Sequence, residues 1–484
     1  MTGLAKGAWW ATCGAALAGC MLAAAQPARA PDDGGAAGAA GAALPAVAPR
    51  NVLLIVIDTL RQDHLGCYGY GRPTSPHLDA FAAAGARFQH CLAASSWTEP
   101  STASLLSGLH AARHGAHEYS VLPDELELIS ERLAAAGWRT LAVSGNPNAS
   151  PQFRFDQGFD QFWFDDSDKA REYPDVSELV AHAEALLAQD DGRPTFCWLH
   201  VMNVHGPYVA PEAFRDRFRR PGSRDFPFQS EVWKEVMRKG EVARRADVTP
   251  ADVQDLEDRY DAAIAWTDDV LGRFLARRRA TTAGQNELVV ITADHGEELF
   301  DHGGFGHGFT LHREVVDVPL LLCGPGIAPA RVAAPVGLVD VAATLLELAG
   351  QLPSVGGAGG RFGDGQSLVP LLTGGEFERD LPLVAQLERE RQGQAFLLQS
   401  WPSRLIETRV DYAGRRDVAE LFDRVADPAE RRDLLLAEPE RSTRLRALLA
   451  ARRAALEAQG MAAQRAALDP EQQRQMEALG YGGP

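Results

Sequence analysis

The run Asn51-Val-Leu-Leu-Ile-Val-Ile57 is almost wholly aliphatic, rich in β-branched side chains, and stops abruptly at Asp58. A strand with one wet face alternates apolar and polar residues; an unbroken run fits a strand covered on both faces, as in a parallel sheet. Leu288 to Thr292 and Val318 to Leu322 have the same character, and Trp138 to Ser144 and Thr195 to Val201 are further strand candidates. Between them, Leu78 to Ala84, Ser101 to Leu109 and Leu126 to Ala136 read as helices. Asp252 to Arg278 sets Leu256, Tyr260, Ile264, Leu271 and Leu275 on one face of a long amphipathic helix. This alternation predicts an α/β fold, a doubly wound, mostly parallel sheet flanked by helices, over residues 50–380. From about Leu381 the pattern shifts to shorter strands, turns and a charged helical stretch around Arg444 to Ala458. A smaller C-terminal α+β subdomain is expected over 381–484.

In a doubly wound sheet, ligands bind beyond the carboxyl ends of the strands. Asp58 follows the first strand, Asn146 the Trp138 strand, and His205 the Thr195 strand; Asp294 and His295 follow the Leu288 strand. Each alone fits a helix cap or a loop hydrogen bond. Together, Asp58, Asp294 and His295 form a donor set for a hard or borderline divalent cation. Thr98 precedes Pro100, which suits the first turn of a helix, so Thr98 is expected near the N-cap. Free N–H groups and the positive end of the helix dipole meet there. A hydroxyl coordinated to a cation in that position would be activated as a nucleophile. An ordinary capping threonine is the plainer alternative.

Lys plus Arg number 48 against 65 Asp plus Glu, a net charge of −17, so no nucleic-acid partner is expected. The arginines of the polar segment Glu212 to Asp247 (Arg215, Arg217, Arg219, Arg220, Arg224) suggest either a lid that attracts an anion or a solvated insertion. At the N-terminus, Lys6 and the apolar run Gly7 to Ala25 read as a secretory signal over residues 1–25, followed by an Ala/Gly/Pro-rich tether over 26–49. Cleavage could follow Ala23-Ala24-Ala25. Alternatively, Leu17-Ala18-Gly19-Cys20 matches a bacterial lipobox and would anchor the chain to a membrane through lipidated Cys20. Either way the body is expected in the periplasm or cell envelope. Cys67 and Cys91 could pair in such a compartment, and the absence of any Cys-x-x-Cys argues against a zinc-thiolate site.

The order Asn51…Asp58-Thr-Leu-Arg61-Gln-Asp63-His-Leu-Gly-Cys-Tyr-Gly, then Thr98-x-Pro100-Ser101 with Gly108, then Asp294-His295-Gly-Glu, resembles the sulfatase family of the alkaline phosphatase superfamily. The likeness continues through Val318-Pro-Leu-Leu-Leu-Cys-Gly-Pro-Gly and Glu420-Leu-Phe-Asp-Arg-Val-Ala-Asp-Pro-Ala-Glu430 to Ala478-Leu479-Gly480-Tyr481. The resemblance implies metal ligation by Asp58, Thr98, Asp294 and His295, with Thr98 in the nucleophile position. It implies contact of His205 and His307 with the ester or its leaving group, His307 acting as general acid; Asn146, placed by its position after the Trp138 strand, is a further substrate-binding candidate. Zinc, calcium, magnesium and manganese all suit the donors; one cation is expected, and Asp301 and His302 are the candidates for a second.

The departures redirect the chemistry. Sulfatases carry Cys or Ser at the Thr98 position, oxidised to formylglycine, and Arg where Thr102 stands here. The acid pair after the first strand is reduced to Asp58-Thr59, and Ser144-Gly-Asn146 replaces the usual Lys and His. Threonine as nucleophile is similar to the superfamily's phosphodiesterases and phosphonate hydrolases. The expectation is therefore a metal-dependent hydrolase of small-molecule, glycan or lipid anionic esters, acting on phosphate or phosphonate. The alternatives are a formylglycine-independent sulfatase and a catalytically silent surface lipoprotein that binds a glycan or anionic lipid.

Overall fold

The computed structural model describes residues 49–164, 173–223, 248–353, 360–389, 393–410, 416–462 and 464–468. The signal segment, Cys20, most of the tether, Arg224 and Ala478 to Tyr481 lie outside them. The core is a nine-stranded sheet. Its central strand, Asn51–Ile57, pairs in parallel with Thr195–Val201 on one side and Glu287–Thr292 on the other. Arg139–Ser144 and then Gln161–Phe164 extend the first side in parallel. On the other side, Asp317–Cys323 runs antiparallel between Glu287–Thr292 and Ala86–Leu92. Residues Val52 to Ile57 are each at most 1% exposed, as an unbroken apolar run requires.

Register sets the site. Ile57 lies opposite Val201, Val56 opposite Thr292 and Ser144 opposite His200, so four strands finish at one level. Helices Pro76–Ala84, Thr98–Ser107, Val176–Leu187 and Val339–Leu348 and the long helix Pro250–Arg279 accompany this sheet. The long helix starts at a capping box in which Thr249 and Asp252 satisfy each other's backbone N–H groups.

Strands Leu383–Arg389, Gly393–Ser400, Ser403–Val410 and Arg416–Asp423 form a separate antiparallel sheet. Leu445, Leu449 and Leu456 of helix Pro439–Glu457 pack onto its Phe396, Leu398, Leu405 and Leu421. A buried quartet ties this sheet to the main one. Arg404 donates to Asp317 (2.5 Å) and to Glu430 (2.9 Å), and Arg424 pairs with the same two carboxylates. Burial alone would raise the Asp317 carboxyl, but Arg404 and Arg424 pull it below its usual range. The segment Glu420 to Glu430 thus supplies two of the four charges that join the sheets.

Candidate active site

Asp58 stands one residue past the central strand, its N–H bonded to Val201 O at 2.9 Å. The next residue, Thr59, has φ 58°, a left-handed conformation that is costly for a β-branched side chain. Its carbonyl accepts from Tyr260 Oη (2.6 Å), which in turn accepts the Arg61 N–H (2.9 Å), so the long helix holds the loop in this shape.

Thr98 opens helix Thr98–Ser107, with Trp97 as the N-cap residue. Pro100 therefore falls at the third helical position, where its missing N–H would have had no intrahelical partner. Thr98 does not cap the helix. Its Oγ1 lies 3.4 Å from Asp58 Oδ2 and 3.3 Å from His295 Nε2, and it accepts from Asn146 Nδ2 at 3.1 Å. Asn146 Nδ2 also donates to Asp58 Oδ2 at 2.5 Å. Its carbonyl is fixed by the Asn148 N–H, which orients the amide. Asp58, Thr98, Asn146, Asp294 and His295 are all 0% exposed.

The electrostatics of this cluster are unbalanced. His295 Nε2 lies 3.7 Å from Asp58 Oδ1 and 3.5 Å from Asp294 Oδ2. Ligand atoms of the three residues fall within 4.8 Å of one another. Asp58 Oδ1 and Asp294 Oδ2 are buried with no hydrogen-bond partner. Burial and the Asp58 charge raise the Asp294 carboxyl. Burial would raise Asp58 too, but the surrounding histidines hold it well below its usual range. Two buried carboxylate oxygens facing each other without donors are what a divalent cation satisfies, and the Asp/His set fits one.

His200, the sixth residue of its strand, adds Nε2 at 3.3 Å from Asp58 Oδ2 and 3.9 Å from Asp294 Oδ2. It lies outside the sequence candidates; its signal is one basic residue in the otherwise uncharged run Thr-Phe-Cys-Trp-Leu-His-Val.

His307 and His205 extend a row of rings from the cluster. The His307 ring centroid lies 4.5 Å from that of His295 and 4.9 Å from that of His205. Glu297 Oε1 meets His307 Nδ1 at 2.9 Å, and His205 Nδ1 meets Gly206 O at 2.8 Å. Each ring is therefore oriented through its Nδ1. Burial and neighbouring imidazoles lower both histidines, while burial raises Glu297 to about 7.

Arg389, also unforeseen, comes from the C-terminal sheet. Its guanidinium lies over the Trp97 ring at 4.8 Å and approaches Gly308, where an added Cβ would sit 2.7 Å from Nη1. It is 3% exposed, and its Nε and Nη2 lack hydrogen-bond partners. Its Nη2 lies 3.7 Å from Glu118 Oε1, so the guanidinium stands between that acid and the residue before Thr98.

The second-cation candidates part company. Asp301 is bound through both oxygens by Arg61, at 2.6 and 3.0 Å. His302 instead joins His312 and Glu314, a group whose ligand atoms also lie within 4.8 Å of one another. Both His302 nitrogens are already committed, Nδ1 to Glu314 Oε1 (2.6 Å) and Nε2 to Glu430 O (3.0 Å). Cys67 and Cys91 are both free thiols rather than a disulfide. Arg220 of the basic segment is tied to Glu257 and Asp258 of the long helix, as a surface element would be.

The His312 group carries a pH prediction. Burial disfavours its charge, but Glu420 at 3.3 Å, with Glu314 and Glu430, raises the imidazole to about 9. Stacked His302, also raised, and Glu298, raised to about 7 by burial and Glu314, complete the surroundings. A folded-state value above the ordinary 6.5 gives stability that is complete below that pH and is lost as pH climbs towards 9. The loss is at most ~3 kcal/mol. Melting temperature should fall across this window, and His312→Gln should flatten the fall; an unchanged slope in the variant would refute the assignment.

A family model described as Sulfatase matches residues 50–351. Choline-sulfatase of Rhizobium meliloti is 25% identical over 440 residues, covering 78% of this chain and 81% of its own. Among solved structures, BT4656 in complex with its substrate D-glucosamine-2-N,6-O-disulfate superposes with TM-score 0.68 at 18% identity, covering 85% of this chain and 99% of that one. The phosphonate monoester hydrolase of Agrobacterium radiobacter gives TM-score 0.66 at 20% identity, covering 85% and 96%.

Proposed function

The chain belongs to the sulfatase family, and on that premise we propose a metal-dependent hydrolase that uses Thr98 to attack phosphate or phosphonate esters in preference to sulfate esters. The observation that carries the reading is the position of Thr98 Oγ1, within 3.4 Å of Asp58, Asn146 and His295 at the start of a helix. Asp58, Asp294, His295 and Thr98 would hold one divalent cation, with His200 beside them. Bound there, the cation would supply Lewis-acid polarisation of the ester oxygens and a lowered pKa for the Thr98 hydroxyl.

The chain's own groups do the rest. Thr98 Oγ1 forms a bond to phosphorus as the bond to the leaving oxygen breaks, and its proton leaves to solvent or a neighbouring base. Asn146 donates to a non-bridging oxygen, and His205 and His307 face the leaving group. His307 delivers a proton to the departing oxygen. Water then releases the Thr98 ester. Glu297 keeps the His307 ring oriented, so Glu297→Gln should lower kcat roughly 10- to 100-fold with little change in KM. An equal loss confined to KM would remove Glu297 from this role.

The preference for phosphorus rests on the threonine itself, a secondary alcohol that cannot become formylglycine. The likeness to a phosphonate monoester hydrolase supports it. Sulfate esters are the second reading, favoured by the likeness to choline-sulfatase. An aryl sulfate, a phosphate monoester, a phosphodiester and a phosphonate assayed side by side, with metal content measured on the same sample, decide between them. Fastest turnover of the sulfate would overturn the preference, and absence of both metal and turnover would leave a silent binding protein. The same reading puts the enzyme outside the cytoplasm, anchored through Cys20 or released after Ala25.

A further inference from the structure

At the opposite end of the sheet, where the strands begin, a cavity of about 350 Å³ opens among Arg50, Asn51, Arg139, Asp190, Arg193 and Arg278. Four guanidinium groups border one opening in a protein of net charge −17. Two are balanced by acids: Arg278 pairs with Glu287 at 2.5 Å, and Arg193 with Asp191 at 2.8 Å and Asp160 at 3.0 Å. Asn51 is committed as well, donating to Ala283 O and accepting the Thr195 N–H.

Arg139 is different. It is only 4% exposed, its Nε is buried without a hydrogen bond, and no carboxylate among the described residues lies within ion-pair distance of it. Exposed Arg50, on the adjoining wall, has no side-chain partner among the described residues either. Asp191 feels the Arg139 charge only from beyond ion-pair distance, and a buried cation without a close counter-charge is costly. A tetrahedral oxyanion fits the need, because the guanidinium fork matches two of its oxygens.

We propose that this cavity binds a phosphate or sulfate group, at a site separate from the cluster around Thr98. The group could be the free anion or the headgroup phosphate of an anionic lipid, and the two sources are experimentally distinct. Inorganic phosphate and sulfate would be titrated calorimetrically into full-length Asp294→Asn protein, in which the Thr98 cluster is disabled. About one equivalent should bind, and Arg139→Met added to that background should weaken it about tenfold or more. Arg50→Ser, at an exposed position where folding is not at risk, should weaken the same event several-fold.

In parallel, the protein would be sedimented with phosphatidylcholine vesicles with and without phosphatidylglycerol. Binding only to the anionic vesicles, lost in both arginine variants, assigns the lipid headgroup; titration without vesicle binding assigns the free anion. Absence of both, or binding that neither variant changes, overturns the proposal. None of these readouts depends on Thr98 being a nucleophile.

Discussion

Thr98→Ala should lower kcat/KM by about 10⁴-fold or more, the scale on which loss of a covalent nucleophile acts. The hydroxyl is fully buried and surrounded by Asn146, Asp58 and His295, so nothing on the neighbouring surface can take its place. The methyl that remains keeps the helix start intact, and the Asp58 and Asp294 oxygens are untouched. Melting temperature should therefore stay close to that of the parent, and metal affinity should fall far less than in Asp294→Asn, because only a neutral donor is lost. Thr98→Ser, which restores a hydroxyl on the same turn, should recover most of the activity. If Thr98→Ala hydrolysed its best substrate as fast as the parent, a water rather than the chain would be the attacking group.

Asp294→Asn should move two measurements in opposite directions. With metal present, the variant loses one of three anionic or imidazole donors. Its affinity should fall by more than the roughly 100-fold that marks loss of an outer partner. Without metal, the same change removes a buried carboxylate that burial and the nearby Asp58 charge make costly. The metal-free variant should therefore melt higher than the metal-free parent. Parallel melting curves with and without chelator test both halves. A lower melting temperature for the metal-free variant would mean that the Asp294 charge is compensated within the protein.

Much of this could be read from the residues because a strand covered on both faces leaves a plain mark in composition. Asn51 to Ile57 and Thr195 to Val201 begin and end in the structure where the apolar runs do. Asp58, Asn146 and Asp294 could be placed together because each stands one or two residues past the end of such a run. The helix starts at Thr98, three residues before the expected Ser101, because a proline in the first turn does not fix which residue of that turn comes first. His200 was hidden because a histidine inside a strand looks like an incidental polar residue. Arg389 was hidden for a deeper reason: its neighbours Trp97 and Gly308 are distant in the chain, and only the docking of the C-terminal sheet brings them close. No local pattern encodes that meeting.

The backbone of Thr59 has a consequence for how this protein could evolve. A threonine held at φ 58° is under tension, and asparagine would sit there more comfortably. Thr59→Asn should thus raise stability while keeping the bend that aims the Asp58 carboxylate. A more durable form of this protein is then one substitution away, at a position where the gain need not cost turnover.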